Sequence, residues 1–246
     1  MRRFYLPSGP QGGEAVLTGQ ERDHLARVLR LGVGEQVLLL DGQGRQWLAE
    51  VAGIDSDSAR LTVLSPVEAS AEPRLHVWLC VALLRKPPKA DWLLQKACEL
   101  GVRRISFVLT QRAVPRLREA DGGQGRLERW NRIAAGALKQ CGGTVLPQID
   151  PPRALPEVAA EGLSDGLRLI LHESAEMGLS QILTRAGMPE RVQLLVGPEG
   201  GFSSPEVDLA AAAGFTAVRL GPRVLRAETA ALAACAALMY AAGELG

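Results

Sequence analysis

The sequence predicts an α/β protein in two parts, a small β-barrel and then a parallel sheet covered on both faces by helices. Three observations carry this. Up to residue 66 the chain is a series of short strands punctuated by glycine. From residue 75 onward, apolar runs bare of polar alternation are separated by helical segments, the pattern of strands buried on both faces. Between them lies Glu68-Ala69-Ser70-Ala71-Glu72-Pro73, small, polar and proline-ended, which reads as a linker. The expected domains are 1–70 and 74–246.

In the first part, Glu14–Thr18, Gln36–Asp41, Gln46–Ile54 and Ala59–Pro66 are expected strands, with Gly32, Gly34, Gly42 and Gly44 between them. Glu21–Arg30 has helical spacing that puts Leu25, Val28 and Leu29 on one face. His24 suits packing or capping better than catalysis. Arg27 and Arg30 fall on neighbouring turns, placed for RNA phosphates or for water. In the second part, Leu75–Leu83 is a near-continuous apolar run, and Ala90–Leu100 a helix closed by Gly101. Ile105–Leu109 is a strand, and Leu127–Cys141 a helix ended by Gly142-Gly143. Leu167–Leu171, Gln193–Val196 and Ala217–Leu220 are expected strands, and helices fall at 179–186, 204–213 and 227–241.

Composition narrows the function classes. With 47% hydrophobic and 22% charged residues in 246, the chain is an ordinary globular protein. No apolar stretch reaches the roughly 18 residues of a membrane helix. Met1-Arg2-Arg3-Phe4-Tyr5-Leu6-Pro7 lacks the apolar core of a secretory signal. Cys80, Cys98, Cys141 and Cys235 are scattered, which reads as reduced, mostly buried thiols of a cytoplasmic protein and argues against a structural metal. The net charge of +1 hides a segregation. Residues 74–140 carry 14 basic and 5 acidic side chains, while 1–73 carry 7 and 10, and 141–246 carry 7 and 12. A concentrated basic third suits a phosphate-rich partner or a solvated face. Within it, Lys86, Lys89 and Lys96 are candidate phosphate contacts, and Trp92 is either core or a base-stacking platform.

Two strand–loop–helix junctions stand out near the C-terminus. The first is Leu194-Leu195-Val196-Gly197-Pro198-Glu199-Gly200-Gly201-Phe202-Ser203, and the second Val218-Arg219-Leu220-Gly221-Pro222-Arg223-Val224-Leu225-Arg226-Ala227-Glu228-Thr229. Their proximity suggests one site built from two backbone loops. The glycines do not form a P-loop, because no lysine-serine or lysine-threonine pair follows them, and they do not match GxGxxG. They also come too late in the chain for a dinucleotide fold or the common methyltransferase fold. Ser203 and Glu206 have capping-box spacing, with Pro205 in the first helical turn. Glu199 can accept hydrogen bonds from a ligand or cap its own loop. Glu228 at a helix start is favoured by the dipole. Arg226 is disfavoured there, which suggests another purpose: holding phosphate or stabilising an oxyanion.

These segments together resemble the RsmE family, the ribosomal RNA small subunit uridine N3-methyltransferases of the SPOUT superfamily. The matching residues are His24, Arg27-Val28-Leu29-Arg30, Asp41-Gly42, Gln95-Lys96-Ala97-Cys98-Glu99-Leu100-Gly101-Val102, Gln140-Cys141-Gly142 and the two junctions, so the likeness runs almost end to end. One departure is Gly143, where the family often has arginine, which puts an RNA or catalytic role at that position in doubt.

The resemblance implies an N-terminal PUA-like β-barrel for RNA and a C-terminal SPOUT domain whose chain threads a deep trefoil knot. It implies S-adenosylmethionine bound in the knot against Leu171, His172, Gly197, Glu199, Gly200, Leu220, Gly221 and Leu225. It further implies a homodimer with active sites at the interface. Its reaction is methylation of N3 of a uridine of 16S ribosomal RNA in the small subunit, position 1498 in the usual rRNA numbering. Uracil N3 carries a weakly acidic proton that must leave, so a base or a stabilised uracil anion is needed. Arg226 is expected to stabilise charge on a uracil carbonyl oxygen, while Glu228 orients the arginine or takes the proton. The competing expectations are a SPOUT enzyme that methylates a ribose 2′-hydroxyl and an RNA-binding protein without catalysis.

Overall fold

The computed structural model describes residues 1–68, 72–113 and 123–245. Ala69, Ser70 and Ala71 of the expected linker lie outside the described residues. The chain forms two compact units, Met1–Glu72 with Ala135–Leu146 and Pro73–Ala134 with Pro147–Gly246.

The first unit is a five-stranded sheet of β1 (Arg2–Tyr5), β2 (Glu14–Thr18), β3 (Gln36–Leu40), β4 (Gln46–Ile54) and β5 (Ser58–Val67). Its order is β1-β3-β4-β5-β2, with β1 parallel to β3 and the other pairs antiparallel. Two register shifts along β4 and β5, at Leu48/Ala49 and Val51/Gly53, bend the sheet into a half-barrel. Strict alternation fixes which face is core. In β2, Ala15 and Leu17 point inward and Glu14, Val16 and Thr18 outward. Phe4, Val37, Leu39, Val51 and Leu61 complete the interior.

Helix α1 (Gly19–Asp23) does not continue as an α-helix. Residues His24–Val28 form a π turn, closed by Leu29 N–H donating to the His24 carbonyl at 2.9 Å. The wider turn rotates the apolar face that the spacing predicts. Leu25 stays buried, but Val28 is 69% exposed. The chain leaves the turn through Arg30, whose φ of 53° is the left-handed conformation that side chains rarely adopt. His24 sits with its ring edge-on to Phe4, a packing role.

Residues 135–146 belong to this unit through specific bonds. Lys139 pairs with Glu21 at 2.5 Å, and Glu72 Oε1 accepts from the backbone N–H groups of Thr144 and Val145 and from the Thr144 hydroxyl. At Gly143, a Cβ would meet Leu138 Cδ1 at 2.9 Å. The space that a side chain needs here is occupied by a buried leucine.

The second unit is a six-stranded, all-parallel sheet in the order β11-β9-β10-β6-β7-β8. The strands are β6 (His76–Ala82), β7 (Arg104–Leu109), β8 (Gln148–Ala154), β9 (Leu167–Leu171), β10 (Arg191–Val196) and β11 (Thr216–Val218). The helices are α2 (Pro87–Glu99), α3 (Gly123–Cys141, shared with the first unit), α4 (Leu155–Glu161), α5 (Leu179–Ala186), α6 (Ser204–Ala212) and α7 (Ala227–Ala241). Helix α7 packs against β6 and β10 with α2 packed on it, while α4 packs on α6, β7 and β8. Trp78, Cys80, Ile170 and Leu195 meet Val158, Ala210 and Phe215 on that second side. Cys80 and Cys235 are fully buried; burial pushes the Cys235 thiol up to about 12, so it is inert. Because every strand runs the same way, the carboxyl ends of β9, β10 and β11 open side by side on one edge, where α/β sheets bind ligands.

Candidate functional site

The first wall of the site follows β10. Gly201 N–H donates to the Pro198 carbonyl at 2.9 Å, closing a four-residue turn, and Gly201 has φ +69°. A Cβ on Gly197 would meet the Phe202 ring at 3.1 Å, so this glycine lets the turn fold back on its own aromatic. Gly200 has neither requirement: a Cβ there would only touch Arg112 at 3.6 Å, leaving its backbone open on the cleft side.

Helix α6 starts immediately. Glu206 Oε2 accepts from Ser203 N–H at 2.8 Å and from the Ser203 hydroxyl at 3.0 Å, the expected capping box. Its other oxygen, Oε1, accepts from the backbone N–H of Gln111 at 2.8 Å. One carboxylate therefore fixes both the helix start and the segment after β7. From that segment Arg112 donates to the carbonyl of Gly200 at 2.7 Å and lines the cleft. No local motif in the sequence marks Arg112 for this role.

The second wall follows β11. Arg219 N–H donates to the Met177 carbonyl and Leu179 N–H to the Arg219 carbonyl, both at 3.0 Å, and His172 N–H bonds the Val218 carbonyl at 3.0 Å. These bonds lay the exit of β9 alongside the exit of β11. Leu171, His172, Gly197, Glu199, Gly200, Leu220, Gly221 and Leu225 all line one cleft of about 200 Å³. Its apolar lining includes Val196, Val218, Val224 and Ala230.

Arg226 and Glu228 lie at the start of α7, with Arg226 exposed at the cap position. Glu228 is buried, and Lys89 pairs with its Oε1 at 2.7 Å. The same Lys89 nitrogen is 3.9 Å from Oε1 of Glu199. Glu228 Oε2 is buried without a hydrogen-bond partner among the described residues. Burial pushes the Glu228 carboxyl up, but the bond from Lys89, its own backbone N–H and the charges of Lys89 and Arg226 outweigh this and hold it below the ordinary glutamate value.

The remaining basic candidates are dispersed. Arg27 is exposed and 3.4 Å from Asp23, Arg30 is exposed, and Lys86 is exposed at the start of α2 without a capping bond. Lys96 is held by both oxygens of Glu99 at 2.7 and 2.9 Å. Trp92 is 47% exposed and outside the core. No cluster of metal-ligating side chains occurs among the described residues.

Comparison with known proteins fits this layout. The sequence matches the RNA methyltransferase domain family over residues 71–239 and the RNA methyltransferase PUA domain over residues 17–64. It is 33% identical over 224 residues to the ribosomal RNA small subunit methyltransferase E of Synechocystis, covering 90% of this chain and 71% of the relative. The fold is similar to that of ribosomal RNA small subunit methyltransferase E of Neisseria gonorrhoeae bound to S-adenosylmethionine, with TM-score 0.88, 33% identity and 98% and 97% of the two chains covered. It is equally similar to a Legionella pneumophila protein in complex with the same cofactor, with TM-score 0.89, 31% identity and 97% of each chain covered. This chain belongs to the ribosomal RNA small subunit methyltransferase E family, with a PUA domain followed by an RNA methyltransferase domain.

Proposed function

We propose that this protein transfers a methyl group from S-adenosylmethionine to N3 of one uridine of 16S ribosomal RNA, in the cytoplasm. The observation that carries the reading is the convergence of two glycine loops on one cleft at the carboxyl ends of β9, β10 and β11. The residues present fit the cofactor. Leu171, Val196, Leu220, Val224 and Leu225 offer an apolar bed for an adenine, and the open backbone at Gly200 and Gly221 offers polar partners for the rest. Glu199 supplies a carboxylate suited to a cationic ligand. When bound, the cofactor supplies a sulfonium-activated methyl group.

The protein's own part is placement and charge. Holding acceptor and donor in line and excluding water removes much of the entropic barrier. Arg226, exposed beside Glu228, stabilises negative charge on a uracil carbonyl oxygen. Glu228, ionised at neutral pH, is ready to accept a hydrogen bond or proton at N3. N3 lies on the Watson–Crick edge, so the target base must be unpaired or drawn out of its pairing. Arg27, Arg30, Lys86 and Lys96 contribute phosphate contacts that position the RNA.

The active form in this reading is a homodimer. An apolar groove of about 680 Å³ lined by Leu179, Leu183, Met188 and Ala237 includes Tyr240, which is 72% exposed. It shares Arg219, Leu220 and Gly221 with the cofactor cleft, so a second copy seated there would complete the site. A trefoil knot is part of the same reading.

The test is incubation of small-subunit ribosomal RNA with the protein and methyl-labelled cofactor, followed by digestion to nucleosides and mass spectrometry. Label in 3-methyluridine is the expected result. Label on ribose, or none despite calorimetric binding of the cofactor, contradicts it.

A further inference from the structure

We propose that Lys89 is a positioning residue of the methyl-transfer site: its ammonium engages Oε1 of Glu228, which leaves Oε2 as the acceptor for the uridine N3–H. This rests on the N3 reading above and adds to it a residue and an atom. By sequence Lys89 belongs to a basic, proline-stiffened segment that suggests phosphate contact. Its position suggests otherwise. Pro87 and Pro88 start α2 with Lys86 at the cap, so Lys89 falls in the first turn, facing the start of α7. There it reaches 2.7 Å from Glu228 and 3.9 Å from Glu199, one carboxylate from each glycine-loop junction. It is the shared counter-ion of both walls.

Three features separate this from an ordinary surface ion pair. The Glu228 side chain is 11% exposed and that of Lys89 only 29%, so the pair is substantially desolvated. Glu228 Oε2 is buried with no partner among the described residues, an arrangement that costs stability unless a ligand donor satisfies it. Glu199, the second carboxylate Lys89 approaches, lines the cofactor cleft. The groups that face Glu228 are Lys89 from α2, Arg226 from the cap of α7 and, across Lys89, Glu199.

Uridine N3–H is a donor that matches the unpartnered Oε2. In the proton step the N3–H bond breaks, its electron pair stays on N3, and the proton passes to Oε2. N3 is then the nucleophile, and neutral Glu228 releases the proton to solvent after turnover. Lys89 keeps the carboxylate ionised before that step and holds its unused oxygen still. Without Lys89, burial acts on Glu228 with less opposition, and its carboxyl titrates at higher pH.

The experiment uses the full chain with Lys89→Met, Lys89→Arg, Glu228→Gln and the double variant Lys89→Met/Glu228→Gln. Rates of 3-methyluridine formation against pH are measured with small-subunit ribosomal RNA, together with RNA affinity against salt. The Glu228 carboxyl is titrated by carbon NMR in ligand-free protein. Lys89→Met is expected to lower kcat at least about tenfold through lost placement of the carboxylate and to move both the acid limb of the rate profile and the Glu228 titration to higher pH. RNA affinity stays unchanged, Lys89→Arg recovers part of the rate, and the double variant is no slower than Glu228→Gln alone. Unchanged kcat with weaker RNA binding and a salt slope reduced by about one makes Lys89 a phosphate contact and overturns the proposal. Additive losses in the double variant also overturn it, because Lys89 then acts independently of Glu228. Product methylated on ribose by the unaltered protein defeats the N3 reading and this inference together. Normal N3 methylation with an unaffected Lys89→Met variant defeats this inference alone.

Discussion

Arg112 donates from its guanidinium to the carbonyl oxygen of Gly200 at 2.7 Å, bridging 88 residues of sequence to hold the open glycine of the loop after β10. A charged donor on a backbone carbonyl fixes the loop from the rim of the cleft. Removing it should loosen the cradle rather than the fold. For Arg112→Ala, S-adenosylmethionine affinity measured by calorimetry falls about five- to tenfold, ~1 kcal/mol, with Tm nearly unchanged. An unaltered Kd means the loop holds itself.

Glu206 serves two elements at once, through Ser203 on one oxygen and Gln111 on the other. Glu206→Ala therefore leaves several buried donors unpaired and costs about 2 kcal/mol in urea unfolding. Ser203→Ala, which keeps the backbone bond to Glu206, costs less than half of that. Equal losses would mean that the bond to Gln111 contributes nothing.

Arg226→Ala lowers kcat about a hundredfold, ~2.7 kcal/mol, while cofactor affinity stays within about twofold. Arg226 is exposed and its side chain makes no capping hydrogen bond at the start of α7. Near-normal turnover with intact cofactor binding removes it from the reaction.

Asp41 makes the first unit sensitive to acid. Burial pushes its carboxyl up, but the N–H groups of Gln43 and Arg45 and the Arg45 guanidinium outweigh that and hold it below the ordinary aspartate value. A carboxyl lowered on folding stabilises the native state above its unfolded pKa, about 3.9, and the contribution is lost as pH falls through the folded value. Unfolding free energy of the full chain is expected to drop below about pH 4, with a shallower slope in Asp41→Asn. Identical slopes assign the acid sensitivity elsewhere.

The strands that the sequence reveals are those with one dominant pattern, such as the alternation in β2 and the unbroken apolar run of β6. The elements it hides break a rule for a positional reason. Strand β8 contains Pro151 and Pro152, which a central strand excludes, and it lies at the sheet edge. Strand β1 is four residues with two arginines, and α4 is a seven-residue helix with a proline in its first turn. The π turn at His24 keeps helical spacing on paper, so only the exposure of Val28 betrays it. Residues 135–146 show no composition that ties them to the first unit. At the site, the two glycine loops are legible because each is contiguous in sequence. Lys89 and Arg112 are not, because each acts through a partner that only the fold brings near.

The most direct test of the function is nucleoside analysis of small-subunit ribosomal RNA from cells lacking this protein. Loss of 3-methyluridine, restored by the unaltered gene and not by one encoding Arg226→Ala, is the predicted result. Persistence of 3-methyluridine in those cells contradicts the N3 assignment outright.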